Sequence, residues 1–153
     1  MTTDYTVYWV VGLIILFLLG SIFGLKVSPR EKALGQLRER ARKMSLHPRL
    51  IPAPEWTGIA KASETRASMV AYYSILVPEG KFPLLRMKVM DQTLEVVTGD
   101  PKFNGQAIDL KGIYAIDMQA NCVGAYWDES VDFSGEQLVA MKQYLQQLAT
   151  QAS

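Results

Sequence analysis

The feature that most constrains this chain is an uncharged apolar stretch near its N-terminus. No Asp, Glu, Lys or Arg occurs from Tyr5 to Leu25, and residues 10–19 read VVGLIILFLL. A helix rises about 1.5 Å per residue, so this stretch would reach about 30 Å, the thickness of the hydrocarbon core of a bilayer. A buried core helix of that length would carry polar residues along one face. The stretch therefore predicts a transmembrane helix.

Aromatic and charged residues mark both ends of the predicted span. Tyr8 and Trp9 lie in its first turns, where amphipathic rings favour the headgroup level, and Lys26 follows its last residue. A cleaved signal peptide would begin with positive charge and end at a small-residue cleavage site. Here the only charge before the span is that of Asp4, and no Ala-x-Ala sequence follows it. We expect an uncleaved anchor.

Positive charge lies on only one side of the predicted span. Lysine and arginine residues are frequent between residues 26 and 49, and none precedes the span. Because cytoplasmic flanks are enriched in such residues, we expect a single-pass protein of a bacterial inner membrane with a periplasmic N-terminus and a cytoplasmic C-terminal domain. The cations are Lys26, Arg30, Lys32, Arg38, Arg40, Arg42, Lys43 and Arg49.

Two glycines in the span have the spacing of a helix contact. Gly20 and Gly24 form a G-x-x-x-G pattern, which places two small residues on one face and lets a second helix backbone approach closely. We interpret them as a candidate membrane-helix contact. Glycine is also common in membrane helices that have no such contact, so both interpretations stay open.

A basic amphipathic helix is predicted directly after the anchor. Ser28 can cap free amide groups, Pro29 suits the first helical position, and Glu31 lies three residues after the cap, where it closes a capping box. The helix should end at about Ser45. Its apolar stripe is Leu34, Leu37, Ala41 and Met44, and its basic residues are Arg30, Lys32, Arg38, Arg40, Arg42 and Lys43.

Three interpretations of this helix stay open. It could lie on the lipid bilayer, its stripe could pair with a membrane-protein partner or with a second copy of the chain as a homo-oligomer, or its charge could only orient the span. Nucleic acid is not an expected partner, because the cations lie beside the bilayer and residues 51–153 carry 8 basic against 12 acidic residues. The candidate lipid or partner contacts are Arg38, Arg40, Arg42 and Lys43.

The chain is expected to have three parts. Residues 1–27 form the anchor with a short N-terminal tail, residues 28–55 form the basic helix and a Pro-rich linker, and residues 56–153 form a cytoplasmic α+β domain. His47-Pro48 and Pro52-Ala53-Pro54 should end the helix and give a stiff, extended linker.

The distal domain is predicted to be mostly strands, closed by one helix. The final helix should begin at Ser134, capped by Ser134 and Gln137. Strands without regular alternation with helices favour an α+β fold, a small antiparallel sheet covered by the C-terminal amphipathic helix. The helix face comprises Leu138, Met141, Leu145 and Leu148, and strand-like runs occur at 68–77, 85–89, 94–97, 107–110, 113–118 and 122–127.

Few residues suggest catalysis. The chain has one histidine and one cysteine, which excludes multi-histidine and cysteine-rich metal sites. His47 lies at the membrane end, far from a nucleophile in the distal domain, and Cys122 in a strand-like run is interpreted as a small packed residue. No nucleotide-binding glycine motif occurs. We expect no enzyme and no cofactor.

Four carboxylates are concentrated before the last helix. Read as a calcium loop from Asp128, the segment has Phe133 where the loop needs glycine and Val139 where it needs a bidentate glutamate. We therefore expect no metal site and interpret the charges as favourable near a helix N-terminus. The four residues are Asp128, Glu129, Asp132 and Glu136.

Two segments carry a resemblance to known proteins. Residues 125–129 (AYWDE), before the final helix, and residues 28–42, after the span, resemble uncharacterised single-pass inner-membrane proteins of gammaproteobacteria. The layout of the first fifty residues is similar to that of the ancillary translocase subunit YajC, although residues 51–61 (IPAPEWTGIAK) replace its glycine-rich segment. The likeness to YajC implies a translocase-accessory role, and neither resemblance supplies catalytic residues.

The function expected from these features is a membrane-anchored, non-enzymatic accessory or scaffold protein with a cytoplasmic protein-interaction domain. The alternatives are a YajC-like translocase accessory and a regulator that acts on anionic lipid surfaces through the basic helix.

Overall fold

The computed structural model describes residues 3–24, 28–59 and 69–152. The chain divides into two compact units, Met1–Lys32 and Ala33–Ser153. In the described residues the helices are α1 (Thr3–Gly24), α2 (Pro29–Lys43) and α3 (Leu138–Ala152), and the strands are β1 (His47–Pro52), β2 (Met69–Leu76), β3 (Phe82–Met90), β4 (Thr93–Thr98), β5 (Ile113–Ala120) and β6 (Cys122–Trp127).

The apolar helix α1 is exposed along its described length. Its residues Asp4–Gly24 have a mean hydropathy of 2.4, and none of them is buried. Its largest rings, such as those of Trp9 and Phe17, are about three-quarters exposed, at 73% and 75%. By length and composition α1 can cross a membrane, and a signal sequence would pass the same test.

Helix α2 begins and ends as its sequence predicts. The backbone N–H of Glu31 donates to Ser28 Oγ at 3.2 Å, which confirms the predicted cap. The helix stops after Lys43 because Ser45 adopts a left-handed conformation (φ 66°), and the Leu46 N–H then returns to the Ala41 carbonyl at 2.9 Å. The apolar side chains of this helix point into the core of the second unit.

The described strands form one antiparallel sheet in the order β1-β2-β6-β5-β3-β4. The β3–β4 connection, Asp91 and Gln92, has positive φ at both positions (50° and 61°), the geometry whose twist suits a two-residue hairpin. The α+β prediction is confirmed: an N-terminal apolar helix and a second helix precede a six-stranded antiparallel sheet, and a C-terminal helix follows it.

Both α2 and α3 pack on one face of the sheet. Leu37 and Ala41 of α2 are fully buried in the main core, together with the predicted apolar face of α3. The sheet contributes alternate residues of its strands, among them Tyr73, Ile116 and Trp127. The stripe of α2 is therefore occupied by its own sheet. The α3 residues in this core are Leu138, Met141, Leu145, Leu148 and Ala149.

Three details of the sequence-based prediction are wrong. Residues 47–52 of the expected linker form β1, because they pair with β2 from His47↔Ser74 to Pro52↔Met69. Residues 107–110 form no strand and make a single bridge, Thr93↔Ala107. They belong to a loop that caps the outer edge of β4, where the Leu94 N–H donates to the Gln106 carbonyl at 2.9 Å.

The start of α3 is the third correction. The helix begins at Leu138 rather than Ser134, because Gly135 takes a left-handed conformation (φ 77°) between them. Ser134 Oγ donates to Asp132 Oδ1, and the Gln137 amide bonds the backbone N–H and carbonyl of Lys111 instead of closing a capping box.

Candidate functional site

A buried ion pair joins α2 to the sheet. Arg38 donates to Glu129 through Nε at 2.9 Å and through Nη2 at 2.7 Å, and the Tyr73 hydroxyl donates to the same carboxylate at 2.6 Å. Glu129 lies in a short 3₁₀ helix after β6, and its side chain is only 7% exposed. We call Arg38, Glu129 and Tyr73 the clamp.

The electrostatics of the clamp follow from its hydrogen bonds. The bonds to Glu129 raise the pKa of Arg38, with burial opposing them. Burial raises the pKa of Tyr73, and its hydrogen bond to Glu129 adds to that shift. The raised pKa values keep the guanidinium charged and the phenol neutral, so both remain donors to the carboxylate that links α2 to the end of β6.

The four cations predicted to contact lipid or a partner have different positions. Arg38 is in the clamp, and Arg40 donates through Nη1 to the carbonyl of Ser134 in the loop before α3. Arg42 forms an exposed pair with Glu39 at 3.3 Å. Lys43 is exposed and has no ion-pair partner in the described residues. Two of the four thus make contacts inside the folded unit.

The two glycines of the anchor lie on an uncovered surface of α1. A Cβ atom built on Gly20 or on Gly24 would meet no described heavy atom within 4 Å. Their role as a helix contact stays a prediction.

The sheet face opposite α2 and α3 carries a second polar cluster. Strand pairing aligns two rows of residues across this face, which we call the open face because neither α2 nor α3 covers it. Tyr72 and Tyr126 are buried there, and Trp56 and Ile59 pack against them. One row runs Arg49, Tyr72, Tyr126, Ala115, Lys88 and Glu95, and the other runs His47, Ser74, Gly124, Asp117, Arg86 and Thr98.

Asp117 is the centre of this cluster. The Tyr72 hydroxyl donates to Oδ1 at 2.6 Å, and the Tyr126 hydroxyl donates to Oδ2 at 3.2 Å. Tyr72 reaches Asp117 because its ring lies over Gly124, where a Cβ atom would clash with the phenol. Cys122 Sγ lies 3.5 Å from the Tyr72 oxygen. A glycine on β6 is thus what allows a side chain of β2 to bond a carboxylate of β5.

Burial is also the largest cause of the pKa shifts in this cluster. It raises the pKa of Asp117, while the hydrogen bonds from Tyr72 and Tyr126 and the charge of Arg86 oppose the rise. Burial followed by the charge of Asp117 raises the pKa of both Tyr72 and Tyr126. The phenols therefore remain neutral donors.

Two cations of β3 lie half-buried beside Asp117. Arg86 is directly opposite Asp117 in the register, and its guanidinium carbon lies 5.6 Å from the ring centroid of Trp56. Trp56 also meets Tyr126 edge-on, with centroids 5.7 Å apart. Lys88 follows Arg86 on the same face. Neither cation forms an ion pair with a described carboxylate.

No local sequence pattern singles out Asp117, Tyr72, Tyr126 or Arg86. Alternation along each strand places each of them on a defined face, but their meeting depends on a strand order that places β2 beside β6 and β5 beside β3. The prediction that Glu129 is one of the charges favoured by a helix N-terminus is wrong, because its carboxylate bonds Arg38 and Tyr73. Asp132 does lie near a helix start, and accepts from the Gln137 N–H at 2.7 Å.

The two residues considered for catalysis lie apart. His47 is the exposed first residue of β1, and Cys122 is half-buried at the start of β6. Within residues 3–24, 28–59 and 69–152, no group of three or more His, Cys, Asp or Glu residues is arranged to hold a metal ion.

No protein-family model matches this chain, and no curated protein or solved structure is significantly similar to it. The resemblances drawn from residues 28–42 and 125–129 therefore stay predictions.

The clamp predicts that replacing Arg38 destabilises the fold strongly and that replacing Arg42, one helical turn later, destabilises it little. Arg38→Met leaves Glu129 buried without its counter-charge, so we expect the free energy of unfolding to fall by about 2 to 4 kcal/mol, reduced from the fully buried case because Arg38 is partly exposed. Arg42→Met removes only an exposed pair and should cost less than about 0.5 kcal/mol. Urea unfolding of the full chain in detergent measures both, and equal losses would contradict the assignment.

The raised pKa of Asp117 predicts how the free energy of unfolding changes with pH. Because its pKa is raised above 3.8, the folded state binds this proton more tightly than the unfolded state does. The stabilisation that protonated Asp117 gives the fold is therefore present at low pH, and it is lost as pH rises through the raised pKa. Relative to Asp117→Asn, the wild-type free energy of unfolding should decrease as pH rises above 3.8. Urea titrations across this range test it, with the exposed Asp109→Asn as control, and an increase would refute it.

Proposed function

We propose that this chain is a single-pass inner-membrane protein whose folded unit lies in the cytoplasm and acts as a non-enzymatic accessory or scaffold domain that binds another protein. Its alternatives are a YajC-like translocase accessory and a regulator that acts on anionic lipid surfaces through the basic helix.

The observation that carries the proposal is the contrast between α1 and the other two helices. Leu37 and Ala41 of α2 and the apolar face of α3 are buried in the core, whereas α1 leaves every described side chain from Asp4 to Gly24 exposed. Each large apolar side chain left in water costs about 1.5 to 3 kcal/mol relative to burial. A bilayer removes that cost, and the cations between Lys26 and Arg49 favour the cytoplasm for the C-terminal side of the span.

The clamp supports a domain that acts at the membrane. Only residues 25–28 lie between α1 and α2 in the sequence. Arg38 of α2 bonds Glu129 after β6, and Arg40 bonds the Ser134 carbonyl before α3. The segment expected to be a stiff linker is instead part of the fold. In the sequence, the folded unit begins at Ala33, eight residues after the last residue of the uncharged stretch, Leu25.

The positions of the basic residues favour a protein partner over a lipid surface. Arg38 and Arg40 contact the folded unit itself, and Arg42 is paired with Glu39. This leaves fewer cations on α2 for anionic headgroups than its composition suggests. Because Leu37 and Ala41, the centre of the α2 stripe, are buried in the core, a protein partner would have to use another surface.

The topology predicts the behaviour of reporter fusions. Alkaline phosphatase fused after Ser153 should be inactive and green fluorescent protein at the same position should fluoresce, because the first needs the periplasm and the second the cytoplasm. The intact mass of the purified protein should include residues 1–27. An active phosphatase fusion would overturn the orientation, and loss of the N-terminal residues would show a cleaved signal sequence.

The accessory role predicts a protein partner that survives mild detergent. The tagged full chain should co-purify with one protein in a stoichiometric ratio, and a chain that carries residues 1–32 on an unrelated soluble domain should lose it. If that control chain retains the partner, the partner contact lies on α1, and Gly20 and Gly24 become the candidate contact residues. A full chain that purifies without a protein partner would contradict the proposal.

A further inference from the structure

We infer that Pro48 and Pro52 prevent β1 from pairing edge to edge with β1 of a second copy of the chain. The two prolines thus keep the sheet of one folded unit from joining the sheet of another. The inference goes beyond the proposed function and does not depend on it.

The position of β1 in the sheet determines which of its main-chain groups point outward. β1 is an outer strand of the described sheet, and its register with β2 runs unbroken through all six of its residues. In an antiparallel pair, alternate residues direct both their N–H and C=O groups to the neighbouring strand, and the residues between them direct theirs away. Because proline has no N–H group, an unbroken ladder requires residues 47, 49 and 51 to face β2. Pro48, Leu50 and Pro52 therefore form the outward edge.

This outward edge lacks hydrogen-bond donors. Two copies that paired through β1 about a two-fold axis at Leu50 would bring together three outward residues from each strand. Four of these six residues would be prolines, two from each copy, so two N–H donors would remain in place of six. Pro48 of one copy would also lie opposite Pro52 of the other. Few main-chain bonds would then hold the two strands together.

The side chains around this edge would otherwise favour association. Leu50, between the two prolines, is 46% exposed, and Met69, opposite Pro52 at the start of β2, is 54% exposed. Exposed apolar side chains on an outer strand are typical of strands that pair with another chain. The prolines remove the main-chain bonds that such a contact would gain.

The other outer strand, β4, is closed by a different device. The Leu94 N–H donates to the Gln106 carbonyl at 2.9 Å, and the Gly105 N–H donates to the Leu94 carbonyl at 2.8 Å. The Val96 N–H donates to Asn104 Oδ1 at 2.7 Å. The outward donors of β4 are thus bonded within the fold, whereas two of the three outward residues of β1 have no donor. For the proposed function, a protein partner would have to contact side chains of the folded unit rather than extend its sheet at β1.

Disulfide trapping in the full chain tests the role of the prolines. In a two-fold β1 pair the two Leu50 residues lie directly opposite each other, with Cα atoms about 5.5 Å apart, a separation that a disulfide spans. Cys122→Ser leaves Leu50→Cys as the only thiol of the chain. After oxidation with copper phenanthroline in mild detergent, adding Pro48→Thr and Pro52→Thr should raise the yield of covalent dimer at least about fivefold, because threonine restores the missing donors and suits a strand.

Matched proline variants complete the test. Pro78→Thr with Pro101→Thr makes the same chemical change at exposed positions outside β1 and should leave the dimer yield at that of the Leu50→Cys chain. Pro52→Thr alone restores half of the missing donors and should give an intermediate yield, and it serves in place of the double variant if the latter does not fold. Thermal unfolding of each purified chain checks the fold. Equal dimer yields with and without the prolines of β1 would overturn the inference.

Discussion

The buried bond between Arg38 and Glu129 is the interaction on which the arrangement of this protein depends. A charge-assisted bidentate pair is directional, so it sets the rotation of α2 about its own axis as well as its place on the sheet. With that rotation set, Leu37 and Ala41 enter the core, Arg40 reaches the Ser134 carbonyl, and Arg42 and Lys43 remain outside. Removing one partner is costly because the other charge stays buried. A basic helix that composition alone presents as a free cationic surface is thereby made part of the folded unit.

The open face depends on an equally local constraint. Gly124 is the residue in β6 where a side chain is missing, and Tyr72 occupies that space to reach Asp117. The phenols engage the carboxylate, so Arg86 is left to stack on Trp56 instead of pairing with it. One face of the sheet packs on both helices, and the other carries a smaller buried cluster around Tyr72 and Tyr126 together with the carboxylate of Asp117.

Much of the architecture could be predicted from the residues alone, where the determining interactions are local. The cap at Ser28, the apolar length of α1, the β3–β4 turn at Asp91-Gln92 and the buried face of α3 each depend on neighbours within a few positions. The predictions that are wrong concern residues whose structure depends on an element distant in the sequence. The proline-containing residues 47–52 look like a linker until β2 is placed beside them, and Gln137 looks like a helix cap until Lys111 offers its backbone.

What the sequence by itself determined is the membrane-compatible helix, the α+β class and the sidedness of the charge, because hydropathy, periodicity and composition are properties of contiguous residues. Only the tertiary structure decided which charged side chains form bonds inside the fold and which do not. Arg38 and Glu129 are 91 residues apart, and Tyr72 and Asp117 are 45 apart. No local pattern marks such pairs, since their meeting follows from the strand order and from the face that each side chain takes. The partition of cations between the clamp and the open face is therefore a property of the fold.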